Sequence, residues 1–111
     1  HCTLNDEPRH MVGADELAQM KSDRFVINCA RGGIVDEQAL ADALSAGTIA
    51  GAGVDVFEIE PPPADHPLLS SDKVYLSPHS AGVSIEAARR MSHETASNLI
   101  QALEGNVNPE T

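Results

Sequence analysis

Phe25-Val26-Ile27-Asn28-Cys29-Ala30-Arg31-Gly32-Gly33-Ile34-Val35-Asp36 decides how this chain folds. Its first five residues are nearly all apolar, the pattern of a strand covered on both faces. The glycine pair then allows a sharp turn. Asp36 is a good helix N-cap, and Glu37 sits in the first turn, where a negative charge is favoured. Leu40, Ala43 and Leu44 follow as an apolar stripe, and Gly47 supplies the C-terminal stop. The stretch therefore predicts a strand, a turn and a helix. The connection from Gly32 to Gly47 is long enough for a right-handed crossover to a parallel strand.

Working outward, that next strand is Ile49 to Val56, which contains Gly51-Ala52-Gly53-Val54-Asp55-Val56. Its glycines are expected to mark close approach by another backbone. Val74-Tyr75-Leu76 is a third strand, stopped by Pro78. A short helix is expected over Ala14 to Met20. A long one runs from about Ile85 to Glu104, capped by Ser84 and ended by Gly105, with Ile85, Ala88, Met91, Thr95, Leu99 and Leu103 on one face. Between the second and third strands, Glu58 to Asp72 holds Pro61-Pro62-Pro63 and Pro67. It cannot be a regular helix or a central strand. It reads as an ordered surface loop, with Leu68 and Leu69 tucking back. Helices alternating with strands in this way predict a parallel α/β architecture.

Composition removes several function classes. Acidic side chains number 17 against 7 basic ones, giving a formal charge of -10 that repels phosphate backbones, so nucleic-acid binding is not expected. No apolar run approaches the roughly 20 residues of a membrane helix, and no secretory signal opens the chain. Cys2 and Cys29 form no CxxC pair, so a disulfide framework is not expected and a reducing cytoplasm fits. His1, His10, His66 and His93 show no metal-ligand spacing and read as surface residues. The sequence opens at His1 in mid-pattern, as a fragment of a longer protein is expected to.

Ligands of open parallel sheets bind beyond the carboxyl ends of the strands. Ala30-Arg31-Gly32-Gly33 follows the first strand, Asp55 stands at the end of the second with Glu58 and Glu60 after it, and Pro78-His79-Ser80-Ala81-Gly82 follows the third. Arg31 offers a planar fork of donors suited to a carboxylate. His79 exchanges a proton near neutral pH, and a carboxylate on its other ring nitrogen would fix its tautomer. Such a set could bind an acid through Arg31 and protonate an adjacent carbonyl through His79. Blander alternatives stand beside this. Arg31 could cap loop carbonyls, Glu60 could be solvated surface, His79 could be an ordinary loop histidine, and Asp55 could cap a turn.

Three motifs carry a resemblance. Val26 to Asp36, Gly51 to Pro61 and Leu76-Ser77-Pro78-His79-Ser80-Ala81-Gly82 resemble, in order and spacing, hallmark segments of the D-isomer-specific 2-hydroxyacid dehydrogenases. His1-Cys2-Thr3-Leu4 and Arg9-His10-Met11-Val12-Gly13 fit the stretch before them. The resemblance implies an α/β fold: the C-terminal half of a Rossmann-like doubly wound parallel sheet plus a long C-terminal helix. Residues 1–83 would be half of a dinucleotide-binding domain. Residues 84–111 would be a helix and tail returning toward a substrate domain. It further implies that Arg31 binds the substrate carboxylate and carbonyl, that His79 is the acid/base, and that Glu60, rather than Glu58, pairs with it. Asp55 would contact the nicotinamide carboxamide. Cys29, Ala30 and Gly82, with Cys2 and Thr3, would lie along the cofactor. Many members have Pro where this chain has Thr3.

The implied reaction is hydride transfer between NAD or NADP and a small D-2-hydroxy acid or 2-oxo acid, in a cytoplasmic protein that is a homodimer at full length. No GxGxxG occurs in the chain, so the segment alone is expected to bind cofactor weakly and to turn nothing over. The choices of 2-hydroxy acid, and of NAD against NADP, are expected to lie with residues outside it. A second function comes from corepressors that resemble this family and share a similar His-Cys-Thr-Leu-Asn stretch: a cofactor-sensing regulatory module that binds peptide partners. A third is a homologue kept only for assembly.

Overall fold

A computed structural model describes residues 9–106. Its elements are α1 (Ala14–Ala18), β1 (Phe25–Asn28), α2 (Glu37–Ala46), β2 (Gly51–Val54), a 3-10 turn (Pro67–Ser70), β3 (Val74–Leu76) and α3 (Ile85–Leu103). The three strands form one parallel sheet in the order β1-β2-β3. Two units are compact in themselves, one ending at Ala81 and the other starting at Gly82.

The caps predicted for α2 are in place. Asp36 accepts the Ala39 N–H at 2.9 Å, and Gly47 closes the helix in the left-handed region at φ 71°. Leu40 and Leu44 are each 1% exposed. Burying each such side chain stabilises by about 1.5–3 kcal/mol. They pack with Leu17, Ile49, Val54 and Leu68 in one core on a single face of the sheet. Strand parity assigns the faces: Val26, Ala52, Val54 and Val74 look toward that core, and Phe25, Ile27 and Tyr75 look away.

This corrects one expectation. β1 is not covered on both faces: Phe25 is 59% and Ile27 67% exposed, because α1 and α2 lie on the same side. The glycines of β2 are explained mainly by side chains. A Cβ on Gly51 would fall 2.8 Å from the Phe25 ring, and one on Gly53 2.9 Å from the Ile27 Cδ1. These are the residues' register partners, Phe25↔Gly51 and Ile27↔Gly53, so two large side chains of β1 lie across the neighbouring strand. Only Gly51 also meets backbone, the Lys73 carbonyl at 2.9 Å.

The proline-rich stretch is a loop, as expected, except for the 3-10 turn begun by Pro67. Leu68 tucks in completely at 0% exposure and Leu69 only in part at 37%. α3 is capped by Ser84, whose Oγ accepts the Ala87 N–H at 3.1 Å. Met91, Leu99 and Leu103 on it are all exposed. No helix among the described residues is long and apolar enough to cross a membrane.

Candidate active site

Parallel strands point their carboxyl ends one way, so Ala30–Gly33, Asp55–Glu60 and Ser77–Ala81 all emerge at one rim. There the His79 Nδ1 lies 2.8 Å from the Glu60 Oε2. The other Glu60 oxygen, Oε1, accepts the Phe57 N–H at 3.0 Å. These two bonds, the histidine first, hold the Glu60 carboxyl below the usual range. An ionised carboxylate can only accept, so Nδ1 carries the proton in this pair, and Nε2 meets no partner among the described residues. The His79 side chain is half exposed, at 51%.

His79 adopts φ 52°, in the left-handed region that a non-glycine residue enters only when its surroundings hold it there. Asp55 supplies the hold. Its main-chain carbonyl accepts the His79 N–H at 2.8 Å. Its carboxylate Oδ1 accepts the Ser77 hydroxyl and the Ser80 N–H, and Oδ2 accepts the Ala81 N–H. Asp55 is 3% exposed, and the serine hydroxyl, then the Ala81 N–H, pull its pKa down against the opposing effect of burial. A buried carboxylate at the end of an apolar strand thus uses both of its oxygens in shaping the histidine turn.

Arg31 reaches the same rim from β1. Its backbone is fixed by Asn28, whose side-chain amide donates to the Arg31 carbonyl at 3.1 Å and whose carbonyl oxygen accepts the Ala30 N–H at 3.2 Å. The exposed guanidinium donates from Nη1 to the Ala30 carbonyl at 2.7 Å. Its other N–H groups meet no partner among the described residues. No hydrogen bond or ion pair joins Arg31 to His79 or Glu60 there. The Arg31 and Glu60 loops nevertheless touch, because a Cβ on Gly32 would lie 1.9 Å from the Phe57 carbonyl oxygen. An open cleft of about 450 Å³ borders Asp55, Phe57, Glu60, Pro61, Leu76 and His79.

The remaining sequence candidates fall variously. Cys29 and Ala30 are half-buried at the start of the Arg31 loop. Glu58, the carboxylate passed over for His79, pairs with Arg9 instead. Gly82 opens the second unit. Cys2, Thr3 and His1 lie outside the described residues. Among those residues, no three His, Cys, Asp or Glu side chains cluster as a metal site.

His66 corrects its reading as a surface residue. Its side chain is 14% exposed, its Nε2 lies 2.9 Å from Glu37 Oε2, and its ring meets Phe57 edge-on at 5.2 Å. Nothing in the spacing announced a pair drawn from a helix N-terminus and a loop 29 residues later.

The model of the D-isomer specific 2-hydroxyacid dehydrogenase NAD binding domain matches residues 1–81. A glyoxylate reductase of Thermofilum pendens is 47% identical over 109 residues, covering 98% of this chain and 32% of that protein. Among solved structures, the NADPH-dependent glyoxylate/hydroxypyruvate reductase of Sinorhizobium meliloti, crystallised with NADP and malonate, superposes with a TM-score of 0.79. It is 42% identical, over 87% of this chain and 30% of that one. D-lactate dehydrogenase of Lactobacillus jensenii, solved with NAD+, gives a TM-score of 0.83 at 32% identity, over 95% of this chain and 36% of that one. The chain thus spans about a third of the length of the relatives it matches. On the match over residues 1–81, with strand order and rim loops to suit it, the chain belongs to the D-isomer specific 2-hydroxyacid dehydrogenase family.

Proposed function

We propose that the chain supplies the acid/base half of a hydride-transfer site acting on small 2-oxo acids such as glyoxylate and hydroxypyruvate. The observation that carries this is the His79–Glu60 pair at the C-terminal rim of a parallel sheet, one loop away from a guanidinium that makes no ion pair among the described residues. The named relatives at 46–47% identity, glyoxylate and glyoxylate/hydroxypyruvate reductases, support the substrate class.

In this proposal Glu60 keeps the proton of His79 on Nδ1, so Nε2 is the working atom. Protonated, Nε2–H donates to the keto oxygen and neutralises the charge that grows there. Neutral, Nε2 takes the hydroxyl proton in the reverse direction. Arg31 binds the substrate carboxylate through its free N–H groups and so sets the carbonyl in line with His79. NAD or NADP, when bound, supplies or accepts the hydride. The residues present fit a nicotinamide at this rim. Cys29 and Ala30 are half-buried there, and the Asp55 Oδ2, which accepts a single N–H, retains a lone pair for an amide. Gly82, Cys2 and Thr3 belong to the same proposed cofactor path. A reducing cytoplasm suits Cys29, which is a free thiol among the described residues, and a homodimer is proposed for the complete protein.

The test is steady-state reduction of glyoxylate, hydroxypyruvate and pyruvate with NADH and with NADPH, by a polypeptide that completes this chain to the length of its relatives. Turnover of at least one acid is expected, and its loss on replacing His79 with Gln. Absence of turnover with every acid, in a protein that binds the dinucleotide, would overturn the proposal.

A further inference from the structure

Glu60 can orient His79 only if the turn that carries it is itself fixed, and the Phe57–Glu60 segment belongs to no strand or helix. Two groups meet its backbone from outside. Gly32 closes on the Phe57 carbonyl, which limits where the turn can move. Glu37, in the first turn of α2, reaches across 21 positions to accept the Glu58 N–H on Oε1 at 2.6 Å. Its second oxygen, Oε2, is held by His66 at 2.9 Å.

The tautomer of His66 follows from its surroundings. Its Nδ1 accepts the Leu68 N–H at 3.3 Å, so the ring proton sits on Nε2 and is donated to Glu37. Leu68 is fully buried, and the His66 ring also packs edge-on against Phe57. The side chains of Glu37 and His66 are 15% and 14% exposed. Both carboxylate oxygens of Glu37 are therefore occupied, one by the loop backbone and one by a histidine anchored to the core. A surface glutamate in a first helical turn needs no such arrangement.

We propose that Glu37, steadied by His66, is a positioning residue: it fixes the Phe57–Glu60 turn and thereby aims the Glu60 carboxylate at His79. The chain of contacts runs from Leu68 through His66 and Glu37 to the Glu58 amide. From there the Phe57 N–H seats Glu60 Oε1 and turns Oε2 toward the imidazole. The importance of this for catalysis rests on His79 being the acid/base of the proposed reaction; the positioning itself does not.

The test titrates Glu60 and His79 by carbon and proton NMR in the 111-residue chain. Glu37→Ala is expected to move the Glu60 midpoint upward, because the Phe57 N–H and the imidazole no longer meet a fixed carboxylate. Glu37→Gln keeps an acceptor oxygen for the Glu58 amide but sets its NH2 against the His66 Nε2–H, so it should restore only part of the difference. Ala43→Gly weakens α2 at a distance from the turn, through helix propensity and a lost core methyl, and should leave the Glu60 midpoint unmoved. An unshifted Glu60 in Glu37→Ala, or an equal shift in Ala43→Gly, would overturn the proposal while leaving the dehydrogenase reading intact. If Glu37→Ala does not fold, the unaltered chain decides. The Glu58 amide proton should then follow the titration of Glu37 and exchange slowly with solvent, and failure of either refutes the contact. In the completed enzyme, Glu37→Ala should lower kcat about three- to tenfold with little change in substrate KM, since it disturbs orientation rather than binding.

Discussion

Replacing Gly32 with Ala tests whether the Arg31 and Glu60 loops must touch. The added Cβ would fall 1.9 Å from the Phe57 carbonyl oxygen, 2.1 Å from its carbon and 2.4 Å from the Glu58 nitrogen. All three are backbone atoms, so no side chain can swing aside. Real Cβ contacts are almost never shorter than 3.0 Å, so the segments must part by about 1.1 Å. Overpacking of this kind typically destabilises by about 1–3 kcal/mol. A displacement near 1 Å at a reacting centre costs roughly a hundredfold in rate. Gly32→Ala in the completed enzyme should therefore lower kcat/KM on the order of a hundredfold, and in the chain itself should reduce the urea midpoint. Gly33→Ala is the internal comparison. Its nearest neighbour is 3.7 Å away, and only its φ of 76° opposes a side chain. That strain costs about 1–2 kcal/mol and leaves the loops in contact, so stability falls while kcat/KM changes much less. Wild-type kinetics in Gly32→Ala, or a larger kinetic loss in Gly33→Ala, would refute the argument.

Three further outcomes are expected. His79→Gln removes the proton carrier and should cost about 10²–10⁴ in kcat of the completed enzyme, measured as cofactor oxidation with saturating 2-oxo acid. Leu68→Ala empties a fully buried site under the proline-rich loop and should destabilise the chain by about 2–5 kcal/mol in denaturant titration. Asp55 and Glu60 both have folded-state pKa values below their ordinary 3.8 and 4.5. Their contribution to stability is complete above those ordinary values and is lost as pH falls through the lower folded ones. Urea midpoints measured from pH 6 down to pH 2 should thus fall in the acid range, and less steeply in Asp55→Asn; an equal acid slope in that variant would contradict the assignment.

The elements were legible because local signals agreed with one another. Asp36 and Gly47 bracket α2 as caps should, and the apolar run at Phe25 is bounded by a glycine pair. The rim residues followed from strand direction alone. Pairing was less legible. A side chain's partner depends on register and loop path, so Glu60 was separated from Glu58 only by family likeness, although the geometry now divides them clearly between His79 and Arg9. The meaning of Gly51 and Gly53 was hidden for the same reason, since Phe25 and Ile27 sit 26 positions earlier and only the parallel register lays them over those glycines. The burial of His66 is hidden in the sequence because a histidine among prolines carries no periodicity. Its burial arises from Glu37 and Phe57, which only tertiary folding brings near.

Among the described residues, β1 and β3 each hydrogen-bond to β2 alone, so both outer rims of the sheet present unmatched amide and carbonyl groups. Such rims are templates on which identical chains can stack. What opposes stacking is mutual repulsion, since every copy carries a charge of -10. Added electrolyte shortens the reach of that repulsion, to about 10 Å at 0.1 M and 3 Å at 1 M. The chain should therefore stay dispersed in dilute buffer and grow cloudy as salt is raised, the reverse of a protein held together by surface ion pairs.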